Sequence, residues 1–190
     1  MVMIGLCLPA SAHAMTFELG GLLAVDANLG SDTLLKLHYS DGSDQTIKAG
    51  NGVALALGGG AMFFDDQPHR LETQLTIGVK YSTMEPTSNA SLDFVRVPIE
   101  LLAFYRNEDW HFRVGGGPGF YISNTLSGGG TLLVNADFKP AVAGIFEADF
   151  VWNAFFAGLR YTLLNLHTTA GHASASANSL GVALGYFFRL

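Results

Sequence analysis

A chain of 190 residues fits one compact domain, and with 49% hydrophobic and 14% charged residues it is more apolar than an ordinary soluble domain. The net charge of −6, with Lys and Arg scattered singly, argues against a nucleic-acid partner, because phosphate binding needs a basic face. Membrane helices do not fit either. Each needs roughly 20 consecutive apolar residues, and beyond the first few positions polar side chains or glycine interrupt every run.

Met1 to Ala14 reads as a signal peptide. An apolar stretch from Val2 to Leu8 leads through Pro9 to Ala12-His13-Ala14, an A-x-A cleavage pattern that places the mature start at Met15 or Thr16. No Lys or Arg precedes the stretch, so the leader is read as shortened at its start, with a barrel domain over residues 15–190. The only cysteine, Cys7, lies in the leader. A mature chain without cysteine crosses an oxidising periplasm without stray disulfides.

Beyond the leader the pattern has period two, as expected of strands that face lipid on one side and a lumen on the other. Phe17, Leu19, Leu23 and Val25 oppose Thr16, Glu18, Gly20 and Asp26. Next, Leu34 to Tyr39 and Gln45 to Ala49 flank Ser40-Asp41-Gly42-Ser43, and Asp-Gly is a strong hairpin signal. These arms are too short and polar to span, so they predict an external hairpin extending the first two strands. Leu35, Leu37, Tyr39, Asp41 and Gly42 form its candidate surface for a partner. Counting the arms as spanning strands gives the alternative, a ten-stranded barrel.

The second spanning strand sets Val53, Leu55, Leu57, Ala61 and Phe63 against mostly Gly and Ala. In the third, Leu71, Thr73, Leu75, Ile77, Val79 and Tyr81 oppose Glu72, Gln74, Thr76, Gly78, Lys80 and Ser82. The fourth alternates Val95 to Tyr105 against Arg96, Pro98 and Glu100, and the fifth alternates Trp110 to Phe120 against His111, Arg113 and three glycines. Phe146, Ala148 and Phe150 then oppose Glu147 and Asp149, Leu159 and Tyr161 oppose Arg160, and Leu180 to Leu190 oppose Ser179, Gly181 and Arg189. The total is eight strands, each long enough for the roughly 9–11 residues that a tilted spanning strand needs. Short connectors at Asp65 to His69, Arg106 to Asp109 and Asn153 alternate with longer ones at Ala27 to Asn51, Thr83 to Ser91, Ile122 to Lys139 and His167 to Ala177. That asymmetry places both termini on the periplasmic side. The predicted fold is all-β, an eight-stranded antiparallel up-and-down transmembrane barrel in a bacterial outer membrane.

The lumen parity carries Glu18, Glu72, Glu100, Glu147 and Asp149 against Lys80, Arg96, Arg113, Arg160 and Arg189, five acids and five bases, with His111 besides. An eight-stranded barrel is only wide enough to be filled by side chains. Balanced charge is what a self-neutralising plug requires, since a buried charge is costly unless paired. Lys80 is expected to approach Arg96 across the hairpin, and Arg113 is expected beside Glu100 to compensate it.

The patterns that invite catalytic readings are weaker. Gly115-Gly116-Gly117-Pro118-Gly119 lacks a following helix, and Pro118 removes a donor, so it is read as small lumen residues rather than a phosphate loop. His167 and His172 have no carboxylate or cysteine near them in sequence and are read as solvated rather than metal-binding. His172-Ala173-Ser174 looks like the His-x-Ser pair of outer-membrane lipid A deacylases, but no Asp or Glu follows Asp149 to orient the histidine. No cofactor, metal or catalytic residue is expected. The expected role is structural or surface-interacting. A narrow transporter of small apolar molecules is the alternative, and a lipid-modifying enzyme ranks below it.

The run Val95-Arg-Val-Pro-Ile-Glu-Leu-Leu-Ala-Phe-Tyr and the following His111-Phe-Arg-Val-Gly-Gly-Gly-Pro-Gly-Phe-Tyr resemble the small outer-membrane β-barrel domain family. The resemblance implies location and fold rather than an activity. It also implies recognition of the C-terminal strand by the barrel insertion machinery, although Tyr186-Phe187-Phe188-Arg189 ends in Leu190 where members commonly end in an aromatic residue. Lipid and lipopolysaccharide of the outer membrane are the remaining expected partners, with a monomer favoured.

Overall fold

The computed structural model describes residues 16–30, 32–38, 44–64, 68–87, 90–130, 134–171 and 173–189. The leader, and Tyr39, Asp41 and Gly42 of the hairpin, lie outside the described residues. Within them twelve strands form: β1 (Thr16–Gly30), β2 (Thr33–His38), β3 (Asp44–Lys48), β4 (Gly52–Phe64), β5 (His69–Thr87), β6 (Ala90–Asn107), β7 (Phe112–Gly130), β8 (Asn135–Phe138), β9 (Ala141–Trp152), β10 (Phe155–His167), β11 (Ser174–Ser176) and β12 (Ser179–Arg189). Eight of them, β1, β4, β5, β6, β7, β9, β10 and β12, pair antiparallel in that order, and β12 pairs back onto β1 to close the ring. The hairpin strands β2 and β3 pair only with each other. They stand outside the ring, so the count is eight and not ten.

Registration fixes the shape. From Met62 the partners run Glu72, Phe104, Gly115, Glu147, Arg160, Gly181, Asn28 and back to β4 at Gly52, ten residues from the start. With standard strand spacings, such a stagger over eight strands tilts each by roughly 40° from the axis. Side chains level in height are therefore often far apart in register, and this decides which charges meet in the lumen.

Leu55, Leu75, Ile77, Leu101, Phe146, Leu159 and Val182 point outward and are each more than half exposed. Tyr105, Trp110, Trp152, Phe155 and Phe188 gather at the end with the short turns, where Phe155 and Phe188 both meet the Tyr186 ring edge-on at 4.5 and 4.6 Å. Aromatic residues at that level are the expected anchors of a bilayer interface. Inside, bulk is matched with glycine. A Cβ at Gly20 would stand 2.2 Å from the Phe187 ring, so that ring fills the lumen only because Gly20 leaves the space.

On three of the long strands, β5, β6 and β10, the polarity then inverts. On β5 the inward side chains run Gln74, Thr76, Lys80 and then Met84, while the outward ones change from Val79 and Tyr81 to Thr83. On β10 inward Arg160 and Thr162 give way to Leu164 and Leu166, and outward Tyr161 and Leu163 to Asn165 and His167. On β6 the inward residues beyond Arg96 are Phe94 and Leu92. A wall that is apolar outside and polar inside suits lipid, and the reverse suits water. The switch marks the outer face of the bilayer. Above it Ile47, Ala49, Met84, Leu92, Phe94, Tyr121, Leu126, Phe138, Leu164 and Leu166 form an apolar core of their own.

That outer unit corrects the loop assignments. Thr83 to Ser91, read as a long loop, lies mostly in β5 and β6, and the segment after Ile122 continues β7 to Gly130. A bulge marks the transition on β7. Val97 pairs with Ser123 and Pro98 with Tyr121, so Ile122 is the extra residue and the inward parity shifts to Asn124 and Leu126. Pro98, which has no N–H to give the ladder, stands at that break. The hairpin does not prolong β1 and β4 as expected. It folds over the mouth, with Ile47 buried in the outer core and Leu35 and Leu37 half-buried against it. Gly30 and Gly50 touch where the chain enters and leaves; a Cβ on Gly30 would meet the Gly50 Cα at 2.1 Å. The Lys36 ammonium, 2.8 Å from Asp44 in the hairpin, holds that exposed carboxyl below its usual range by hydrogen bonding to it.

Candidate functional site

The lumen within the apolar band is the part of the barrel with concentrated chemistry. At its centre Arg113 of β7 is 1% exposed. Its Nε donates to Asp149 Oδ2 at 2.7 Å, Nη1 to Glu72 Oε1 at 2.5 Å and Nη2 to Glu147 Oε1 at 2.8 Å. The guanidinium plane lies between the rings of Phe104, at 4.1 Å, and Phe156, at 3.6 Å. Planar donors on the rim and apolar faces above and below are what arginine offers and lysine does not. Glu72 also accepts from Gln74 Nε2 at 2.5 Å, and Arg160 links Glu147, at 3.2 Å, to Glu100, at 2.5 Å.

Glu100 therefore pairs with Arg160 and not with Arg113. The reason is register: Glu100 stands opposite Gly119, whereas Arg113 stands opposite Arg106, six residues nearer the turn. Lys80 stands opposite Arg96. Among the described residues no carboxylate lies within ion-pair distance of Lys80; Asp26 and Glu100 attract it from further off, and Arg96 and Arg160 repel it. Arg96 meets no carboxylate at that distance either. Its Nη1 donates to the Ala49 carbonyl at 2.7 Å and its Nη2 to the Asn51 carbonyl, beneath the hairpin.

Three further placements differ from expectation. His111 is exposed in the β6–β7 turn at φ 53°, beside the Phe150 ring at 6.0 Å, and takes no part in the lumen. Glu18 and Arg189 have side chains 43% and 55% exposed and face each other at 3.6 Å near the turn end, rather than inside. Arg106, left to a turn by the sequence, is buried. Its Nη2 donates to the Asn153 carbonyl across the inner mouth at 2.9 Å, its Nε lies 2.7 Å from Glu108, and its Nη1 lies 3.4 Å from Glu72. Continuing the parity of Arg96, Glu100 and Phe104 by one more step would have found it.

Arg96 and Arg106 thus fasten backbone carbonyls at the two mouths, Arg106 pairing with Glu72 and Glu108 as well, while Arg113 and Arg160 between them neutralise carboxylates. One cavity within the lumen, beside Asp26, Thr76, Glu100 and Arg160, has a volume of about 10 Å³, room for about one water. The Thr76 hydroxyl lines it and is buried without a protein partner. In the outer unit Ser174 of β11 stands in register with His167 of β10, both exposed, while His172 lies outside the described residues. Among the described residues no group of three or more His, Cys, Asp or Glu side chains is placed to hold a metal ion.

A closed ring with an apolar outer wall and a charged, filled lumen defines a transmembrane β-barrel of the outer-membrane kind. No protein-family model and no curated protein matches the chain. Among solved structures, it is similar to Ail, the attachment invasion locus protein of Yersinia pestis, in complex with the heparin analogue sucrose octasulfate. The identity is 12% over 93% of this chain and 100% of that one, with a TM-score of 0.49. A second likeness is to the outer membrane channel DcaP of Acinetobacter baumannii, at 10% identity over 94% of this chain and 99% of that one, with a TM-score of 0.26.

Proposed function

We propose that the protein is a closed barrel of the bacterial outer membrane with a structural or surface-interacting role, carried by the folded unit that it holds above the bilayer. Exported with a leader that is then removed, it works as a monomer without cofactor. Its wall meets lipid, its outer rim meets lipopolysaccharide, and β12 is the strand read by the insertion machinery. The observation that carries this reading is the layered interior: an apolar core above, the Arg113 cluster in the middle, and Arg96 and Arg106 fastening the two mouths. Transport of small apolar molecules would need an apolar passage, and the charged layer opposes one.

The test is conductance. Purified protein inserted in planar bilayers is expected to give no stable open level, because opening a route past Arg113 exposes or strands three carboxylates. Large, persistent channels would overturn the closed-lumen reading.

A further inference from the structure

The outer wall of the barrel is not uniformly convex. Across β9, β10, β12 and β1 two outward rows lie in register: Trp152, Phe155, Tyr186 and Leu23 nearer the turns, and Phe150, Ala157, Leu184 and Val25 above them. Every member of these rows is bulky except Ala157. Behind the wall the ring of the inward-facing Phe156 packs on Gly185, where a Cβ would stand 2.0 Å from it, and both residues border the floor of the depression that Ala157 leaves. The result is an open trough of about 690 Å³ over β10, walled by Phe150 and Trp152 on β9 and by Leu184 and Tyr186 on β12. The flanking strands are two strand spacings apart, roughly 10 Å, which leaves between their side chains the width of a single hydrocarbon chain.

We propose that this trough is a binding site for one acyl chain of a phospholipid in the turn-side leaflet. Three observations point to that occupant. The trough is continuous with the bilayer-facing band, so lipid is already its solvent. Its lining side chains are apolar apart from the Tyr186 hydroxyl and the Trp152 indole N–H. Those two groups stand at the turn end, the level at which such rings meet headgroups. A chain seated there buries the exposed faces of Trp152 and Phe155, which are 67% and 57% exposed on the bare wall. The inference rests on the wall facing a bilayer and is independent of whether the lumen conducts.

Native mass spectrometry of protein extracted from phospholipid membranes in mild detergent tests this directly. Wild type is expected to retain one phospholipid. Ala157→Phe, which fills the floor, is expected to reduce that population by roughly tenfold or more, about the worth of two methylene contacts. Leu75→Phe, on the far wall, is expected to leave it unchanged. Ala157→Leu provides a smaller filling variant should the phenylalanine impair folding, and quenching of tryptophan by acyl-brominated phospholipid reads the same site in vesicles. Wild type flying bare, or both filled variants retaining lipid like wild type, would overturn the proposal. A two-copy mass abolished by Ala157→Phe would overturn it as well, by assigning the trough to a second copy of the chain.

Discussion

Replacing Arg113 with methionine is expected to destabilise the barrel by about 3–5 kcal/mol, the cost typical of breaking a buried ionic group by removing one partner. Methionine keeps much of the length and apolar contact between the Phe104 and Phe156 rings but removes all the donors. Glu72 retains Gln74 and a long contact to Arg106, and Glu147 retains Arg160. Asp149 loses the Nε donor at 2.7 Å and has no other ion-pair partner among the described residues. Asp149→Asn in the Arg113→Met background removes one stranded charge and is expected to recover part of the loss. Urea unfolding in lipid vesicles measures the cycle. Strictly additive losses would contradict the geometry of the cluster.

Arginine at Leu75 is expected to cost about 2–4 kcal/mol, the range for a cation at the bilayer midplane on the lipid face of a barrel. Leu75 lies between Gly59 and Leu101 in register and is 56% exposed, midway between the aromatic turn end and the polarity switch above Tyr81. Asn165→Arg provides the contrast. Asn165 also points outward, but from β10 above the switch, where arginine meets water and the change is expected to stay within about 0.5 kcal/mol. Similar losses at both sites, measured by folding into vesicles of increasing thickness, would mean that the band has been placed wrongly.

The eight spanning strands were legible in the sequence because two solvents of opposite polarity act on alternate residues. Lipid selects Leu71, Leu75, Ile77 and Val79 while the lumen selects Glu72, Gln74 and Lys80, and no other arrangement of that segment satisfies both. The outer unit was not legible for the same reason in reverse. Above the bilayer the outward side meets water, so Thr83, Asp93 and Asn165 look like loop residues although the alternation continues and Leu92, Phe94 and Leu166 are buried.

Which residues carry the lumen charge was readable for Glu72, Lys80, Arg96, Glu100, Arg113, Glu147, Asp149 and Arg160, all of which are buried. Their pairing was not. It depends on the ten-residue stagger and on long side chains reaching across the lumen, as Arg113 on β7 does to Glu72 on β5, two strands away. His111 shows the limit of parity at a turn, where a positive φ takes the side chain out of the alternation.

The wall reverses its polarity along β5, β6 and β10, and the proposed lumen inside it is closed to water. Nuclear magnetic resonance of the methyl groups on β5, from Leu71 to Met84, tests both without altering a residue. A spin label carried on a lipid chain and a water-soluble gadolinium chelate are added in turn. The lipid label is expected to broaden Leu75, Ile77 and Val79, and the chelate Thr83, while Thr76 and Met84 are broadened by neither. Broadening of Thr76 by the chelate would show an aqueous lumen, and equal broadening of both parities by the lipid label would show that β5 is not the wall of a barrel.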